Sequence, residues 1–510
     1  MAQEVSAAWT AEEVDSVRNI AQNLQVSWKK ESTLGGVTFT IGVSTIGGND
    51  VIGINPGAIG SPGNYKYFDE SAYTMGLSWE RSLNLPIGGL SVGFAEADLD
   101  NTSKRFTPDY MGGDSELFTA ILPRRPFIIN AGFNFDGIDQ VIPQFSGILT
   151  RTPTVDVRRG NAGLAGADYV NFFSNRYLDQ EVMFTGLFTD QVYENLLTSM
   201  GLSTAQYDLD AGINKIPFGL FEKGTRYSDI FSDLAVAENG QFYQDESGIF
   251  KFENRQHYDS SPYTEVQRII TTGQVLESEL LEDDHIINVV EIKGKPRVKS
   301  PRQPLFKLPA PVELTSGENT ELFVDFDDPV LEVDTINITT NTEEDGTGTS
   351  GIGYIKATDY FAKAVKIIFG ATQDGYVTSI DIFGRPAKAI TDLYFRAKDD
   401  SSITAYEERP LTIDNDYIQD QFWANSYAQM ILDDYSDPDK IQRLTIRAIP
   451  ELQLGDLISW QGRYWRIYGI KAKLDPSYGF TQELLLVQRT IVSYFRIGIS
   501  TIGGDDKIAP

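Results

Sequence analysis

The predicted fold is built around residues 97–108, Ala97-Asp98-Leu99-Asp100-Asn101-Thr102-Ser103-Lys104-Arg105-Phe106-Thr107-Pro108. Before them, Leu90, Val92 and Phe94 alternate with small or polar residues, which is typical of a half-buried strand. The side chains of residues 100–103 can hydrogen-bond their own backbone, so we expect the strand to end there. Phe106 then returns to apolar surroundings, and Pro108 blocks further strand pairing.

A second strand is predicted at Arg125–Ile129, with Phe127 and Ile129 on one face. Residues 53–150 as a whole are short apolar segments separated by Gly and Pro. This pattern indicates an all-β unit, either a barrel or a sandwich.

Composition argues against several classes of function. The chain has 510 residues, a formal net charge of −29 and no cysteine. Its length predicts two to four domains. The negative charge argues against binding to nucleic-acid phosphates or to anionic lipid, because either kind of binding needs clustered Lys and Arg. The lack of cysteine excludes disulfides, thiolate metal sites and cysteine nucleophiles. Without a membrane-length apolar run or a signal segment, we expect a soluble protein made in the cytosol.

The N-terminal residues are predicted to form a helical arm. Thr10 and Glu13 have the spacing of a capping box. The following apolar residues would share one helical face; they are Val14, Val17, Ile20 and Leu24. The arm docks either on its own domain or on a neighbouring subunit.

Residues 39–52 are repeated near the end of the chain, at 495–508, with ten of fourteen positions identical. Each copy has a short strand, a Gly-Gly hinge and an acidic turn, and no phosphate-loop Gly-Lys-Ser/Thr follows. We hypothesise that both copies fit the same kind of socket on successive rings of an assembly; the alternative is packing within one subunit. The candidate interface residues are Phe39, Ile41, Gly47, Gly48, Asp50, Phe495, Ile497, Gly503, Gly504 and Asp506.

Residues 185–258 predict a compact α+β module. One helix starts at Asp190 and ends at Gly201, and a second runs from about Arg226 to Glu238. A hairpin follows, with Gly248 at the left-handed position of its turn.

The second half predicts strands around one strong helix. A strand is expected at His285–Lys293, and Pro-rich residues then lead into a β-rich stretch from Val312 to about Lys398. Asp416 is expected to cap a helix ending at Leu432. The predicted buried face of this helix consists of Ile418, Phe422, Tyr427, Ile431 and Leu432. Later strands turn sharply at Gly455-Asp456 and close a small barrel, to which we also assign the His285–Lys293 strand.

The sequence thus predicts a mainly β, multi-domain fold with two small β-barrels per chain, an α+β module and an inserted β unit. The expected division is an N-terminal arm (1–38), a first β-barrel domain (39–184), the α+β module (185–264), a second β-barrel domain with helix (265–300 and 405–490), an inserted β-rich domain (301–404) and a C-terminal tail (491–510) that repeats the 39–52 motif.

Four segments, taken in order, resemble tail-hub proteins of tailed bacteriophages and phage-derived injection machines. They are Leu99–Pro108, Glu238–Phe252, Tyr376–Gly384 and Tyr417–Asp456, and together they span most of residues 85–490. The structural motif residues that carry the resemblance are Asp100, Asn101, Arg105, Phe106, Pro108, Gly455 and Asp456.

The resemblance implies a structural hub in the virion, at the tail tip or baseplate, made in the host cytoplasm. Such hubs are homotrimeric rings with two related β-barrels per subunit, so three chains present six barrels. The implied partners are a distal tail protein or tail tube protein, the tape-measure protein, and tail fibre or tip proteins. Neither sequence-specific nucleic-acid binding nor stable membrane insertion is expected. An acidic channel wall would keep passing DNA from sticking during ejection.

No residue pattern predicts catalysis, so the chain is expected not to be an enzyme and to need no cofactor. His257 and His285 are the only histidines, and neither has the spacing of a zinc site. Asp208 with Asp210, and the acidic run 325–328, lack the spacing of a calcium loop, so no metal ligand is assigned.

Two alternatives to a hub remain open at this stage. One is a receptor- or glycan-binding tail adhesin that uses aromatic residues of the middle β unit. The other is a tail-associated cell-wall hydrolase, which needs only a pair of carboxylates.

Overall fold

The computed structural model describes residues 18–30, 65–108, 120–281, 286–436, 441–475 and 479–488, together with Gln3, Val5, Trp9 and Leu117. Strands dominate these residues, helices are few, and several sheets form separate cores. The predicted mainly β, multi-domain class is confirmed. Closed barrels are not detected in the described ranges.

In chain order, the strands are β1 (Ile20–Lys30), β2 (Tyr65–Asp69), β3 (Thr74–Ser82), β4 (Gly89–Leu90), β5 (Phe94–Asp100), β6 (Pro126–Phe135), β7 (Ile138–Leu149), β8 (Thr154–Asp156), β9 (Asn161–Ala167), β10 (Val182–Phe188), β11 (Tyr207–Leu209), β12 (Lys215–Phe221), β13 (Gln241–Gln244), β14 (Phe250–Glu253), β15 (Arg268–Ile269), β16 (Val275–Leu281), β17 (Val289–Gly294), β18 (Arg297–Lys299), β19 (Gln303–Lys307), β20 (Val312–Leu314), β21 (Asn319–Asp325), β22 (Val330–Asn341), β23 (Gly353–Tyr360), β24 (Ala364–Ala371), β25 (Gly375–Ala389), β26 (Leu393–Lys398), β27 (Pro410–Asp414), β28 (Ile441–Arg447), β29 (Leu457–Trp460), β30 (Arg463–Asp475) and β31 (Gly479–Gln488). The α-helices are α1 (Val170–Phe173), α2 (Thr189–Ser199), α3 (Tyr227–Glu238), α4 (Asp400–Tyr406) and α5 (Gln421–Tyr435).

One 14-stranded sheet unites the two ends of the chain. Its main path is β16-β28-β31-β30-β3-β5-β9-β7-β6-β1-β2. The two halves meet where β3 pairs antiparallel with β30, from Leu77 opposite Leu474 to Ser82 opposite Gly469. Strands nearly 400 positions apart in sequence therefore share one backbone ladder, and the two predicted β units form one continuous sheet.

The C-terminal half of this sheet bends back toward its own start. From β15 the pairing passes through β29, β30, β31 and β28 to β16, which follows β15 in sequence after the turn at Thr272–Gln274. A buried core that includes Trp465, Ile467 and Leu484 lies inside this curve.

The strand predicted at His285–Lys293 does not belong to this curved half, so that assignment is wrong. The observed strand, β17, lies between β26 and β27 in a separate three-stranded sheet. Both Val289 and Val290 are buried, which shows that this small sheet is covered on both faces. Helix α5 packs on it and reaches the α+β module, where the Tyr427 hydroxyl donates to the Val236 carbonyl at 2.7 Å.

The start of helix α5 and one residue of its buried face differ from prediction. Asp420, rather than Asp416, caps it by accepting a hydrogen bond from the Trp423 backbone N–H at 2.8 Å. Phe422 is 80% exposed, and Trp423 is buried in its place. The other four residues of the predicted buried face are buried; they are Ile418, Tyr427, Ile431 and Leu432.

Strands β18 to β25 lie in sequence between β17 and β26, so this β unit is inserted into the small sheet. It has its own core, which includes Val365, Ile367 and Phe369.

The predicted α+β module is confirmed. Helices α2 and α3 pack with the β13–β14 hairpin, and the Tyr193 ring stacks on Phe242 with centroids 4.9 Å apart. Asn239 ends α3 in a left-handed conformation, with φ 52°. Gly248 adopts φ 96° in the hairpin turn, as the sequence indicated.

The helix predicted through Ile20 and Leu24 is wrong, because residues 20–30 form strand β1; residues 10–17 lie outside the described ranges. Leu24, Val26 and Trp28 are buried, which is a two-residue period. Pairing with β6 and β2 supplies the ladder that an isolated segment lacks.

The strand before residues 97–108 faces the other way from the predicted alternation. Phe94 is 55% exposed, whereas Ala95, Ala97 and Leu99 are buried. The reason is a change of sheet: β4 pairs with β13 of the α+β module, and β5 starts a new strand at Phe94. The expected strand end is confirmed, since β5 stops at Asp100.

The loop after β5 is anchored by a buried carboxylate. Glu70 is fully buried and accepts two hydrogen bonds from Arg105, at 2.9 and 3.0 Å. It also accepts one from the Trp28 indole at 2.8 Å. Fork-shaped pairing of this kind satisfies a carboxylate that would otherwise be costly to bury.

The Phe106 ring closes the same loop and is fully buried. It packs edge-on against Tyr73, with centroids 5.5 Å apart, and its backbone N–H donates to the Asn101 side chain at 2.8 Å. Phe127 and Ile129 of β6, on one face as predicted, belong to the same core.

Asp168 lies where the large sheet meets the α+β module. It is 3% exposed, and its carboxylate accepts hydrogen bonds from the Gly93 N–H at 2.6 Å and the Val170 N–H at 3.0 Å. Burial raises the pKa of this carboxyl group to about 7, although backbone hydrogen bonds and the charge of Arg81 act in the opposite direction.

We expect Phe106→Ala to lower the unfolding free energy by about 3–5 kcal/mol, because it leaves a cavity under the loop. The matched control is Phe94→Ala, since that ring is mostly exposed; it should change stability by no more than about 0.5 kcal/mol. Urea unfolding followed by tryptophan fluorescence measures both. If both variants lost the same unfolding free energy, the Phe106 ring would not anchor the 97–108 loop.

Asp168 should make the protein less stable as pH rises from about 4 to 7. The unfolded carboxyl group loses its proton near pH 4, whereas the folded one keeps it to about pH 7. The folded state therefore binds more protons across this window, so raising the pH favours unfolding. Urea unfolding at pH 5 and pH 7.5 should show a smaller loss of stability for Asp168→Asn than for the parent. If Asp168→Asn and the parent lost the same unfolding free energy between the two pH values, the raised pKa of Asp168 would be contradicted.

Candidate functional site

The large sheet has one buried face and one solvent face, because side chains alternate along each strand. In β3, Leu77 and Trp79 are each 2% exposed, and Ser78 and Glu80 point the other way. In β5, the side chains of Glu96 and Asp98 likewise alternate with buried alanines.

Strand register collects the solvent-facing side chains of both halves into one surface. Glu80 lies opposite Lys471 across the β3–β30 joint, Lys471 opposite Glu483, and Glu483 opposite Thr445. We call this surface the polar face; it comprises Ser78, Glu80, Glu96, Asp98, Gly163, Ala165, Glu277, Glu279, Arg443, Thr445, Lys471, Lys473, Thr481 and Glu483.

Carboxylates outnumber basic groups on the polar face. Arg443 lies 2.9 Å from Glu279 and 3.4 Å from Glu483, with its own side chain 42% exposed. Ion pairs this accessible to solvent add little stability. Glu96 and Asp98 have no ion-pair partner within the described ranges. The polar face is thus a hydrated surface of net negative charge.

Between the charges the side chains are small. Ser78 lies between Lys473 and Glu96 in the strand register, and Gly163 and Ala165 continue the surface into β9. Phe94 is the large exposed apolar exception. A surface of this chemistry offers few apolar contacts to a passing polypeptide and repels phosphate.

A second polar cluster lies where the α+β module meets the curved half of the sheet. His257 Nδ1 is 2.7 Å from Asp210, and its Nε2 is 3.2 Å from Glu253. Glu253 also accepts hydrogen bonds from the hydroxyls of Tyr243, at 2.7 Å, and Tyr258. Burial raises the pKa of Tyr258, so its hydroxyl keeps the proton that it donates.

The carboxylates of this cluster already contact basic side chains of the same chain. Asp208, one of the weighed calcium candidates, lies 2.6 Å from Lys251, and Asp210 is engaged by His257. Likewise, Asp328 lies 3.2 Å from Arg297. Across the residues with assigned positions, no group of three or more His, Asp or Glu side chains is placed to hold a metal ion.

The Gly455-Asp456 turn borders this cluster. Gly455 has φ 80°, and a Cβ there would lie 2.4 Å from the Tyr258 ring, so glycine is needed for both reasons. Asp456 is fully buried and accepts the Gln453 backbone N–H at 2.8 Å. Arg81 of β3 pairs with Glu246 of the hairpin turn at 2.9 Å, which ties the module to the sheet.

The predicted site residues fall into two described groups. Asp100, Asn101, Arg105, Phe106 and Pro108 lie in the loop anchored by Glu70, while Gly455 and Asp456 lie beside Tyr258. The ten repeat residues proposed as interface contacts, and also His285, lie outside the described residues; they are Phe39, Ile41, Gly47, Gly48, Asp50, Phe495, Ile497, Gly503, Gly504 and Asp506.

The polar face itself was missed by the sequence analysis. Its signal was present as alternation of apolar and polar residues in two segments, Leu77–Glu80 and Ile470–Leu474. Only the pairing of β3 with β30 places Glu80 beside Lys471.

No helix in the described part of the chain has the length and apolar character needed to cross a membrane.

No protein-family model and no curated protein matches this chain. Among solved structures, it is similar to the 43 kDa tail protein of prophage MuSo2 from Shewanella oneidensis, with 11% identity, a TM-score of 0.44, and coverage of 83% of this chain and 95% of that one. A tail protein from Neisseria meningitidis MC58 gives 10% identity, a TM-score of 0.44, and coverage of 83% and 94%. Prophage tail protein gp18 from Listeria monocytogenes EGD-e gives 9% identity, a TM-score of 0.40, and coverage of 84% of this chain and 92% of that one. All three of these structures are described as tail proteins.

Proposed function

We propose that this chain is a structural hub of a phage tail tip or of a phage-derived injection machine. Three copies form a ring that joins the tail tube or distal tail ring to the tip. The ring lines the channel through which tape-measure protein and DNA pass. Tail fibre or tip proteins attach to it, and no catalysis is assigned to it.

The observation that carries this proposal is the polar face on a sheet shared by both halves of the chain. A channel wall needs a rigid backing, and the opposite side of the sheet supplies it with buried residues such as Trp79 and Leu484. With two β units in each chain, a trimer offers six such units, which suits a six-fold tube. The excess of carboxylates keeps DNA phosphates away from the wall.

The charged clusters of the described residues support a scaffold rather than an enzyme. His257 contacts both Asp210 and Glu253 inside the α+β module, and Arg81 pairs with Glu246 across the boundary between the sheet and the module. The Arg81–Glu246 pair holds the module against the sheet, as a ring subunit requires.

One observation favours the adhesin as a second candidate function. The inserted β unit exposes Phe323, Tyr354, Tyr360 and Phe361, each by 45–61%. The Tyr354 ring covers Gly370, where a Cβ would come within 2.8 Å of it. Exposed aromatic rings of this kind can stack on sugars.

A map of purified particles tests the ring. We expect three copies around the tail axis, with Glu80 and Glu96 facing the channel. Peripheral knobs would favour the adhesin, and a polar face turned away from the axis would overturn the channel assignment.

We expect the triple variant Glu80→Lys, Glu96→Lys and Glu483→Lys to slow DNA ejection from assembled particles. The reason is that the changes turn an acidic wall into one that binds phosphate, with a strong dependence on salt. The matched control carries Glu313→Lys, Glu318→Lys and Glu344→Lys, which change the net charge equally on the inserted unit. Equal ejection rates for both triple variants, measured at low salt, would contradict the proposed lining.

A further inference from the structure

The inserted β unit contains a sheet with one buried face and one solvent face. Its strands pair in the order β21-β24-β23. Val365, Ile367 and Phe369 of the central strand are buried in the core of the unit, so the residues that alternate with them point outward. We call the solvent side the outer face; it includes Asn319, Glu321, Phe323, Tyr354, Lys356, Ala357, Asp359, Lys366, Ile368 and Gly370.

The ring of Tyr354 is held against the backbone of the outer face. It lies over Gly370, its neighbour across the β23–β24 ladder. A Cβ atom on Gly370 would come within 2.8 Å of the ring, so only glycine lets the ring approach the sheet this closely. Tyr354 is nevertheless 53% exposed. A ring fixed in this way has little freedom to lose when a ligand stacks on it.

A polar contact spans the central strand beside this ring. Lys356 Nζ, from β23, donates to Asn319 Oδ1 of β21 at 2.9 Å, and Asn319 lies opposite Gly370 in the strand register. No carboxylate pairs with Lys356 in the described part of the chain, whereas Lys366 pairs with Glu321 at 2.9 Å. Lys356 thus carries an uncompensated positive charge two residues from Tyr354, in a chain whose net charge is −29.

Phe323 provides a second exposed ring on the outer face. It is 61% exposed, and Lys366 Nζ lies 5.6 Å from its ring centroid. In the register, Phe323 lies two strand spacings across and four residues along from Tyr354, a separation of about 17 Å. A ligand that contacts both rings is therefore an extended chain rather than a single small molecule.

The mixture of rings and charges on the outer face favours a sugar chain over a protein partner. Charged side chains separate the two rings, whereas the centre of a protein–protein interface is depleted of charge. The C–H bonds of a pyranose ring carry partial positive charge, which matches the negative face of an aromatic ring. A carboxylate on the sugar forms a charge-assisted hydrogen bond with a free ammonium group.

We propose that the outer face binds an acidic oligosaccharide, with one sugar stacked on Tyr354 and its carboxylate paired with Lys356. Asn319 donates from its Nδ2 group to a sugar hydroxyl, since its Oδ1 already accepts from Lys356. A later sugar of the same chain contacts Phe323. This inference rests on the second candidate function, the adhesin, and gives it a ligand class and a binding mode.

Titration of the full-length protein with soluble tetrasaccharides, followed by saturation-transfer NMR, tests this proposal. The acidic probes are the tetrasaccharides of polygalacturonate, alginate and hyaluronan, and cellotetraose is the neutral comparison. We expect at least one acidic probe to bind more tightly than cellotetraose at low salt, because Lys356 pairs only with a charged sugar. Binding of none of the acidic probes, or equal binding of cellotetraose, would overturn the proposal.

Tyr354→Ala should raise the Kd of the bound probe about tenfold, because the stacked ring is the central contact. The matched control is Tyr394→Ala, which removes a ring that is 54% exposed on β26 and should leave the Kd unchanged. Lys356→Gln should weaken binding of the acidic probe and leave the signal of cellotetraose as it was. The same loss of affinity in Tyr354→Ala and Tyr394→Ala would contradict the assigned site.

Gly370→Ala tests the position of the ring, because it leaves every proposed ligand contact in the chain. The added methyl group displaces the Tyr354 ring, so the Kd should rise. Its control is Gly273→Ala, where a Cβ meets no atom within 4 Å; an equal Kd for both glycine variants would refute the held ring. All of these titrations use the free chain, so a failure here leaves the hub ring standing, and the particle map that tests the ring does not decide sugar binding.

Discussion

The rest of the structure depends on the backbone ladder between β3 and β30. It joins a strand near residue 80 to one near residue 470, and so makes two β units into one sheet. The two faces of this ladder differ in their surroundings. Leu77, Trp79 and Leu474 are buried on one face. Ser78, Glu80 and Lys471 face solvent on the other. Closing so long a loop costs chain entropy, and the apolar area buried on the core side offsets that cost.

Two buried ionic contacts then hold the 97–108 loop and the α+β module against the large sheet. Arg105 and Trp28 satisfy Glu70 under the 97–108 loop, and Arg81 meets Glu246 between the sheet and the α+β module. Burying charges is costly unless they are paired, so these contacts favour one arrangement over others that leave a carboxylate unsatisfied. That rigidity suits the proposed hub subunit, and the acidic groups around His257 are likewise held in place, since both Asp210 and Glu253 contact its ring.

Much of the local structure could be predicted, because it follows from patterns within a few residues. Helices α2 and α3, the hairpin with Gly248 and the strand end at Asp100 match their predicted positions closely. Predictions failed where distant partners decide the outcome. Residues 20–30 pair with β6 and become a strand, and Phe94 faces solvent because β5 begins a new sheet. The polar face was not predictable, since its members come from strands hundreds of residues apart.

The sequence by itself determined the mainly β class, the α+β module and the anchored loop, because hydrophobic period, capping residues and turn glycines act over short distances. It also determined the net negative charge that disfavours gripping phosphates. Only the tertiary structure decided which strands are neighbours, and hence that Glu80 lies beside Lys471 and that β17 lies between β26 and β27 in a separate sheet. The physical reason is that strand alternation specifies two faces but not the partner strand, which depends on how the whole chain packs.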